Sequence, residues 1–166
     1  MLRIEGSGGD YFGAMSAEQY RAKINTPAKN PLYFKQFHLP IITRAKKRTG
    51  IGNLIRLLDI ACGPADELDF FKDDPDIKIV ATDISRKILL SVKQKLGEKS
   101  IVFAADVVHT ALRENSMDAG ILVNAVVYEP DKMLETMHKA LKPRGECSVN
   151  FRAFNNEHNR AFYEYY

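Results

Sequence analysis

Polar side chains follow four apolar segments of the sequence, at the point where each segment ends: Asp59, Asp83, Asp106 and Asn124. Gly63 lies in the turn after the first segment, where the missing Cβ lets a ligand approach the backbone closely. If the segments are parallel strands, these groups meet at one edge of a sheet. Asp83 could then accept hydrogen bonds from two ribose hydroxyls, and Asp106 could read an adenine. The set predicts a site for a nucleoside with an amino-acid-like appendage.

The elements that must position these residues alternate between strand and helix patterns from residue 54 onward. Five buried strands are predicted at Leu54–Ile60, Ile77–Thr82, Ile101–Ala105, Ala119–Asn124 and Glu146–Phe151. Single helices between strands imply right-handed crossovers and a parallel sheet covered on both faces. The predicted fold class is therefore α/β, a Rossmann-like, doubly wound, mostly parallel sheet of about five strands with N-terminal helices.

Apolar residues at a helical period, with capping residues at the ends, locate the helices. Helices are predicted from Ser85 to Leu96, from Pro130 to Leu141 and from about Ala65, with N-terminal helices at 16–23 and 32–47, the latter interrupted near Pro40. Thr49-Gly-Ile-Gly52 then breaks the chain. We expect a helical arm over residues 1–52 and an α/β region over 53–166, within one compact domain.

Residues 54–151 contain five motifs that, in this order, resemble the class I S-adenosylmethionine-dependent methyltransferases: LLDIACGPAD, VATDIS, AADV, MDAGILVNAVVYEPD and ALKPRGE. The resemblance implies S-adenosylmethionine as cofactor and S-adenosylhomocysteine as product. It places Asp59 and Gly63 by the methionine portion, Asp83 by the ribose, Asp106 and Val107 by the adenine, and Asn124 beside the methionine and the reaction centre. Ala61 and Ile84 complete the implied cofactor-binding residues. Ala61 and Ala65 stand where the family often has glycine, and the N-terminal helices would form a lid over the site.

A nicotinamide dinucleotide is the competing interpretation, because a glycine turn and a ribose-binding Asp serve both cofactors. A pyrophosphate needs several loop N–H donors and a Gly-x-Gly-x-x-Gly turn. The turn after Asp59 has a single glycine, Gly63, and Pro64 has no N–H. The sequence therefore favours the methyl donor.

Methyl transfer from a sulfonium requires mainly an acceptor held in line with the S–CH₃ bond, so no metal is expected. If the acceptor needs a base, Tyr128 and Glu129 are the nearest catalytic candidates, although both could be helix-entry residues. Cys62 is expected to be a small buried packing residue. The acceptor is expected to be a small molecule of unknown identity.

Charge and strand edges suggest possible partners. Residues 1–52 hold nine Lys/Arg against three Asp/Glu, with one tight cluster at Arg44, Lys46, Lys47 and Arg48. A solvated helix face is the preferred explanation, with nucleic-acid binding as the alternative.

The fifth strand needs cover, from the aromatic tail, a second copy or another subunit. The alternative function is accordingly a non-catalytic cofactor-binding module or a partner subunit.

Chain length and cysteine content limit the class of protein and the cellular compartment. A chain of 166 residues that is 45% hydrophobic can bury a substantial core. Cys62 and Cys147 lie far apart with no secretory leader, which favours a reducing, cytoplasmic compartment. No apolar run approaches the roughly 20 residues of a membrane span, so no membrane partner is expected.

Overall fold

A five-stranded parallel sheet forms the centre of the protein. The computed structural model describes residues 16–23, 31–50, 52–107, 112–123 and 130–150. The strands are β1 Ile55–Ile60, β2 Ile77–Asp83, β3 Ile101–Ala104, β4 Met117–Val123 and β5 Leu141–Asn150. Their spatial order is β3-β2-β1-β4-β5, and every pair is parallel. The predicted Rossmann-like fold class is confirmed, and the strand order reverses between β1 and β4.

The helices lie close to their predicted positions. They are α1 Ala17–Lys23, α2 Leu39–Thr49, α3 Arg86–Leu96 and α4 Pro130–Ala140, and a helical turn at Pro31–Tyr33 and a π-helix at Phe34–His38 lead into α2. The Ser85 side chain accepts a hydrogen bond from the Ile88 N–H, which caps α3 as predicted. Pro40 lies in the first turn of α2, where its missing N–H costs no helical bond.

The sheet is buried on both faces, which explains why most residues of its central strands are apolar. Leu57 of β1 packs in one core cluster with Ile42 of α2 and Val92 of α3. The next residue, Leu58, packs in the opposite cluster with Met137 of α4. Helices on the two faces thus fix the sheet and hold the ends of its strands in place.

The prediction for the last helix and strand was wrong in one respect. Leu141, expected to close the apolar stripe of α4, is instead the first residue of β5 and pairs with Met117. The register between β4 and β5 then shifts before Ala119 pairs with Glu146. Pro143 cannot donate a hydrogen bond to a ladder, and Arg144 has φ +67°, so the intervening residues form an irregularity in the strand.

The segment after Ala65 also differs from the prediction. It forms a short 3₁₀ helix, Asp66–Phe70, and not a regular α-helix. Two of its acidic residues, Asp66 and Glu67, are buried. The 3₁₀ helix ends at Phe71, which packs in the core between Phe34 and the sheet. Neighbouring polar and apolar side chains of this segment are therefore buried together, which differs from the one-sided burial of a regular surface α-helix.

Acidic partners neutralise most of the basic cluster on α2. Arg44 and Arg48 both form ion pairs with Glu146 of β5, at 2.6 Å and 2.5 Å. Lys46 pairs with Asp74 at 2.6 Å. These contacts attach α2 to the amino-terminal side of the sheet. Within the described ranges, no helix is both long and apolar enough to cross a membrane.

Candidate functional site

The loop after β1 has an unusual backbone conformation. Ala61, Gly63 and Ala65 have φ values of 53°, 50° and 52°, in the left-handed region that favours glycine. The sequence analysis placed the two alanines at positions where the resembled family often has glycine. Both adopt the left-handed backbone that glycine adopts easily. The loop therefore turns away from the sheet as a glycine-rich loop would, at a cost of about 1 kcal/mol for each alanine.

Hydrogen bonds to β2 and within the loop fix this conformation. The Cys62 N–H donates to the Thr82 carbonyl at 3.0 Å, and the Ala65 N–H donates to the Cys62 carbonyl at 2.8 Å. The Gly63 N–H donates to Oδ2 of Asp83 at 2.8 Å. Because Pro64 has no N–H, residues 62–65 present no unused backbone donor to a ligand.

Asp83 lies at the end of β2 and connects the loop to α3. Its Oδ1 accepts the Ser85 N–H at 2.8 Å, while its Oδ2 accepts the bond from Gly63. Burial raises the pKa of this carboxyl, and the backbone N–H groups of Ser85, Gly63 and Ile84 oppose that rise. A carboxylate has about four lone-pair sites, so each oxygen can accept a further bond. The position and remaining acceptors fit two hydroxyl groups of a ribose.

Asp59 is the most deeply buried acid of the site, with 2% of its surface exposed. Its Oδ2 has no hydrogen-bond donor among the described residues. Burial raises its pKa well above the usual range, and the negative charges of Glu67 and Asp83 raise it further. Buried polar atoms are normally hydrogen-bonded, so this oxygen is a fitting acceptor for a cationic or N–H group of a ligand.

Glu67 is a second buried acid beside Asp59, and the sequence analysis did not identify it. It lies on the 3₁₀ helix and is 6% exposed. Burial raises its pKa to about 7, and the negative charges of Asp66 and Asp69 add to the rise. The loop therefore rests on acidic groups that would favour a positively charged ligand.

The other predicted cofactor residues lie at neighbouring strand ends. Ile84 follows Asp83 and is 51% exposed, so its apolar side chain is accessible to a ligand beside the Asp83 carboxylate. Ala104, the last residue of β3, pairs with Asp83, and Asp106 and Val107 follow it at the same edge. The Val107 carbonyl accepts a bond from the Thr136 hydroxyl at 3.0 Å. Asn124, Tyr128 and Glu129 lie outside the described residues.

Two cations contact the loop on the side of α1 and α3, and the sequence analysis identified neither. Lys95 of α3 donates to the carbonyls of Pro64 and Ala65 at 2.6 Å and 2.7 Å. Arg21 of α1 donates to both carboxylate oxygens of Asp66. Both cations come from helices remote in sequence, and a lysine in the last turn of a helix ordinarily indicates only a favourable interaction with the helix dipole.

Cys62 does not have the surroundings of a nucleophile. It is buried, and burial raises the pKa of its thiol well above the usual value, with the charges of Asp59 and Asp83 adding to the rise. It packs in the core cluster, in agreement with the packing role predicted for it. In the described parts of the chain, no group of three His, Cys, Asp or Glu side chains could hold a metal ion.

A cavity of about 260 Å³ lies at the opposite, amino-terminal end of the strands. Arg48, Asp118 and Lys142 line it, but their charges are used on each other and on neighbouring groups. Lys142 donates to Asp118 at 2.6 Å, and Arg48 pairs with Glu146. In open α/β sheets ligands bind at the carboxyl ends of the strands, so we place the functional site at the loop and Asp83.

Known proteins resemble this chain in sequence and in fold. A family model described as a methyltransferase domain matches residues 57–145, which is more than half of the chain. Among curated proteins, none matches.

Many solved structures are similar in fold. A TehB-like SAM-dependent methyltransferase from Corynebacterium glutamicum has 16% identity and a TM-score of 0.59, with 89% of this chain and 79% of that chain covered. A Haloferax volcanii methyltransferase, solved with the Trm112 methyltransferase activator, has 19% identity and a TM-score of 0.57, covering 99% and 67%. The [4+2]-cyclase SpnF has 21% identity and a TM-score of 0.51, covering 64% and 42%. This chain thus spans less than half the length of the cyclase.

Proposed function

The chain belongs to the methyltransferase domain family, whose methyl donor is S-adenosylmethionine, and from that premise we propose that it transfers the donor's methyl group to a small-molecule acceptor. The observation that carries the proposal is the hydrogen bond from the Gly63 N–H to Asp83. It joins a left-handed loop after β1 to a carboxylate at the end of β2, beside the point where the strand order reverses.

Each described residue of the site has a proposed task. Asp83 would accept the two ribose hydroxyls, and the exposed Ile84 would pack against the adenine. Asp106 and the backbone of Val107 would bind the adenine edge. Asp59, whose Oδ2 has no donor in the described structure, would accept from the ammonium of the methionine portion. Ala61 and Gly63 would let that portion approach the backbone, and Asn124 remains a candidate for the same end of the cofactor.

The chemistry that S-adenosylmethionine supplies when bound is a methyl group on a sulfonium, whose leaving group is a neutral thioether. The protein's task is then to hold the acceptor in line with that methyl and to keep water away. No general base is required for an acceptor that is already nucleophilic. Tyr128 and Glu129 remain the candidates where an acceptor must lose a proton.

The loop's hydrogen bonds argue against a nicotinamide dinucleotide. A pyrophosphate is normally bound by backbone N–H groups of the glycine loop. Here the N–H groups of Cys62, Gly63 and Ala65 are bonded to protein oxygens, and Pro64 has none.

A partner-dependent form of the activity is the second candidate. Among the described strands, β5 pairs only with β4, so its other edge offers unpaired backbone groups. The Haloferax volcanii neighbour was solved with a methyltransferase activator, and the cyclase neighbour is named for a different reaction. A second copy or another subunit that adds a strand to β5 could therefore be needed for turnover.

We also propose a cytoplasmic location, which the free Cys62 and Cys147 support.

Calorimetric titration of the purified chain tests the proposal. We expect saturable binding of S-adenosylmethionine and S-adenosylhomocysteine and none of NAD. Asp83→Asn should weaken binding at least tenfold, because one hydrogen bond to a charged group is worth about 1.5–3 kcal/mol. Asp73→Asn, at an exposed position away from the loop, is the matched control.

A second variant protects the test against misfolding. Ile84→Ala changes an exposed side chain and should also weaken binding, by a smaller factor, without lowering the melting temperature. Binding of NAD, or equal affinity in wild type and both variants, would contradict the proposal. Binding without methyl transfer to any tested acceptor, restored by an added partner chain, would favour the second candidate.

A further inference from the structure

A helix of the N-terminal region is connected to the loop through a part-buried ion pair. Asp66 follows the left-handed Ala65 and is 4% exposed. Arg21 of α1 binds it with two nitrogens: Nε lies 2.8 Å from Oδ2 and Nη2 lies 2.5 Å from Oδ1. This fork-like geometry fixes the orientation of both side chains, which a single charge contact would not do.

Burial alone would raise the pKa of Asp66, but the hydrogen bond from Arg21 and the charge of Lys95 outweigh it and hold the pKa below the usual value. Asp66 is thus a buried carboxylate that depends on its two cations. Asp69 also lies within ion-pair distance of Lys95, at 3.4 Å. The pair therefore belongs to a small network centred on Lys95.

Lys95 of this network also hydrogen-bonds the loop backbone. The Lys95 ammonium bonds the carbonyls of Pro64 and Ala65 and contacts Oδ1 of Asp66 at 3.3 Å. Oδ1 is also the oxygen that Arg21 binds. An ammonium has three donors, so these contacts use its full capacity. The side of the loop after Gly63 is fixed by Lys95, and the side before it is fixed by β2.

Hydrogen bonds, together with one short stretch of backbone, connect α1 to the carboxylate that ends β2. They pass from Arg21 to Asp66, through Lys95 to the Pro64 and Ala65 carbonyls, and along the loop from Gly63 to Asp83. Because Asp66 directly follows the loop and binds Arg21, we expect a change in the loop to move Asp66 and to affect the docking of α1. Two sites that share one ordered element influence each other's free energy reciprocally.

We infer that Arg21 is a positioning residue of the cofactor site, which acts through Asp66 and Lys95 so that docking of α1 and binding of the cofactor favour each other. The inference rests on the proposed function, because the loop is the proposed binding element for the methionine portion. Arg21 itself would not touch the cofactor. One side chain of the N-terminal region would then set the loop's geometry.

The first test compares affinities for S-adenosylhomocysteine by calorimetry in the full chain. Arg21→Gln should weaken binding at least about fivefold, which is the lower end of the usual range of such couplings. Arg21→Lys should restore part of the loss, because a lysine keeps the charge but not the forked geometry. Arg44→Gln is the matched control, since it removes an arginine–carboxylate pair at the other end of the sheet and should leave affinity unchanged.

The second test measures hydrogen exchange of the α1 backbone amides, a readout that a purely structural ion pair would not link to the ligand. In the wild type, S-adenosylhomocysteine should slow exchange in α1, and in Arg21→Gln it should not. Arg21→Gln combined with Asp66→Asn should bind no more weakly than Asp66→Asn alone, because both changes break the same connection.

Failure of this inference can be told apart from failure of the proposed function. If the wild type binds and Arg21→Gln binds equally well, with exchange in α1 indifferent to the ligand, the coupling is refuted and the cofactor site stands. If the folded wild type does not bind S-adenosylhomocysteine, the proposed function falls and the coupling falls with it.

Discussion

Replacing Glu67 by glutamine should stabilise the protein at neutral pH. Glu67 is 6% exposed, and burial raises its pKa from the ordinary 4.5 to about 7. Folding therefore favours the protonated carboxyl. The associated stability is fully present below pH 4.5, and it is lost as the pH rises towards 7. Glutamine has nearly the same shape and stays neutral, so it should avoid this loss.

The size of the effect follows from the shift. Moving the pKa from 4.5 to about 7 corresponds to about 3 kcal/mol between the two protonation states. We expect Glu67→Gln to change the free energy of unfolding by less than about 1 kcal/mol at pH 4.5 and to raise it by about 3 kcal/mol at pH 8. The gain should grow from pH 4.5 to about pH 7 and level off above it.

Urea denaturation of both proteins at several pH values between 4.5 and 8 measures this difference. Glu98→Gln is the control, because Glu98 is 99% exposed and a charge there should matter little at any pH. A difference between Glu67→Gln and wild type that does not change with pH would refute the reasoning. So would a variant less stable than wild type at pH 8.

Three further predictions concern the fold around the site. Burial lowers the pKa of His38 to about 4, so the free energy of unfolding of the wild type should fall by up to about 3 kcal/mol as the pH falls from 6.5 to 4. Urea denaturation of His38→Leu should not show this fall. Gly120→Ala should destabilise by about 1–3 kcal/mol, because a Cβ would lie 3.2 Å from that of Cys147 and collide with the Met137 sulfur; an unchanged melting temperature would contradict this. Ala61→Gly should raise the free energy of unfolding by about 1 kcal/mol by removing left-handed strain, and calorimetric melting would reveal a loss instead if the strain is absent.

The strands, α3 and the fold class could be predicted because their signals are local. Buried parallel strands are apolar on both faces, and Ser85 begins a helix whose apolar stripe fits one side of the sheet. Parallel pairing then brings the strand ends to one edge, so Asp59, Gly63 and Asp83 could be placed near one another before the structure was known. The roles of these residues towards a cofactor stay predictions.

What the sequence could not reveal depends on contacts between distant residues. The acidic residues after Ala65 have a helical spacing, yet Arg21 and Lys95 draw Asp66 into the interior and the segment becomes a 3₁₀ helix. The start of β5 was missed because Leu141 is equally suitable for a helix and a strand, and its pairing with Met117 decides between them. Tertiary contacts override local preference at both places.

The most direct test of the central claim maps where S-adenosylhomocysteine binds, by following backbone amide resonances of the labelled protein during a titration. We predict that the largest changes occur at the amides of Gly63 and Ser85, which donate to the two oxygens of Asp83, and at Ile84. Changes concentrated instead at the amino-terminal cavity around Lys142, with the loop amides unmoved, would contradict the account.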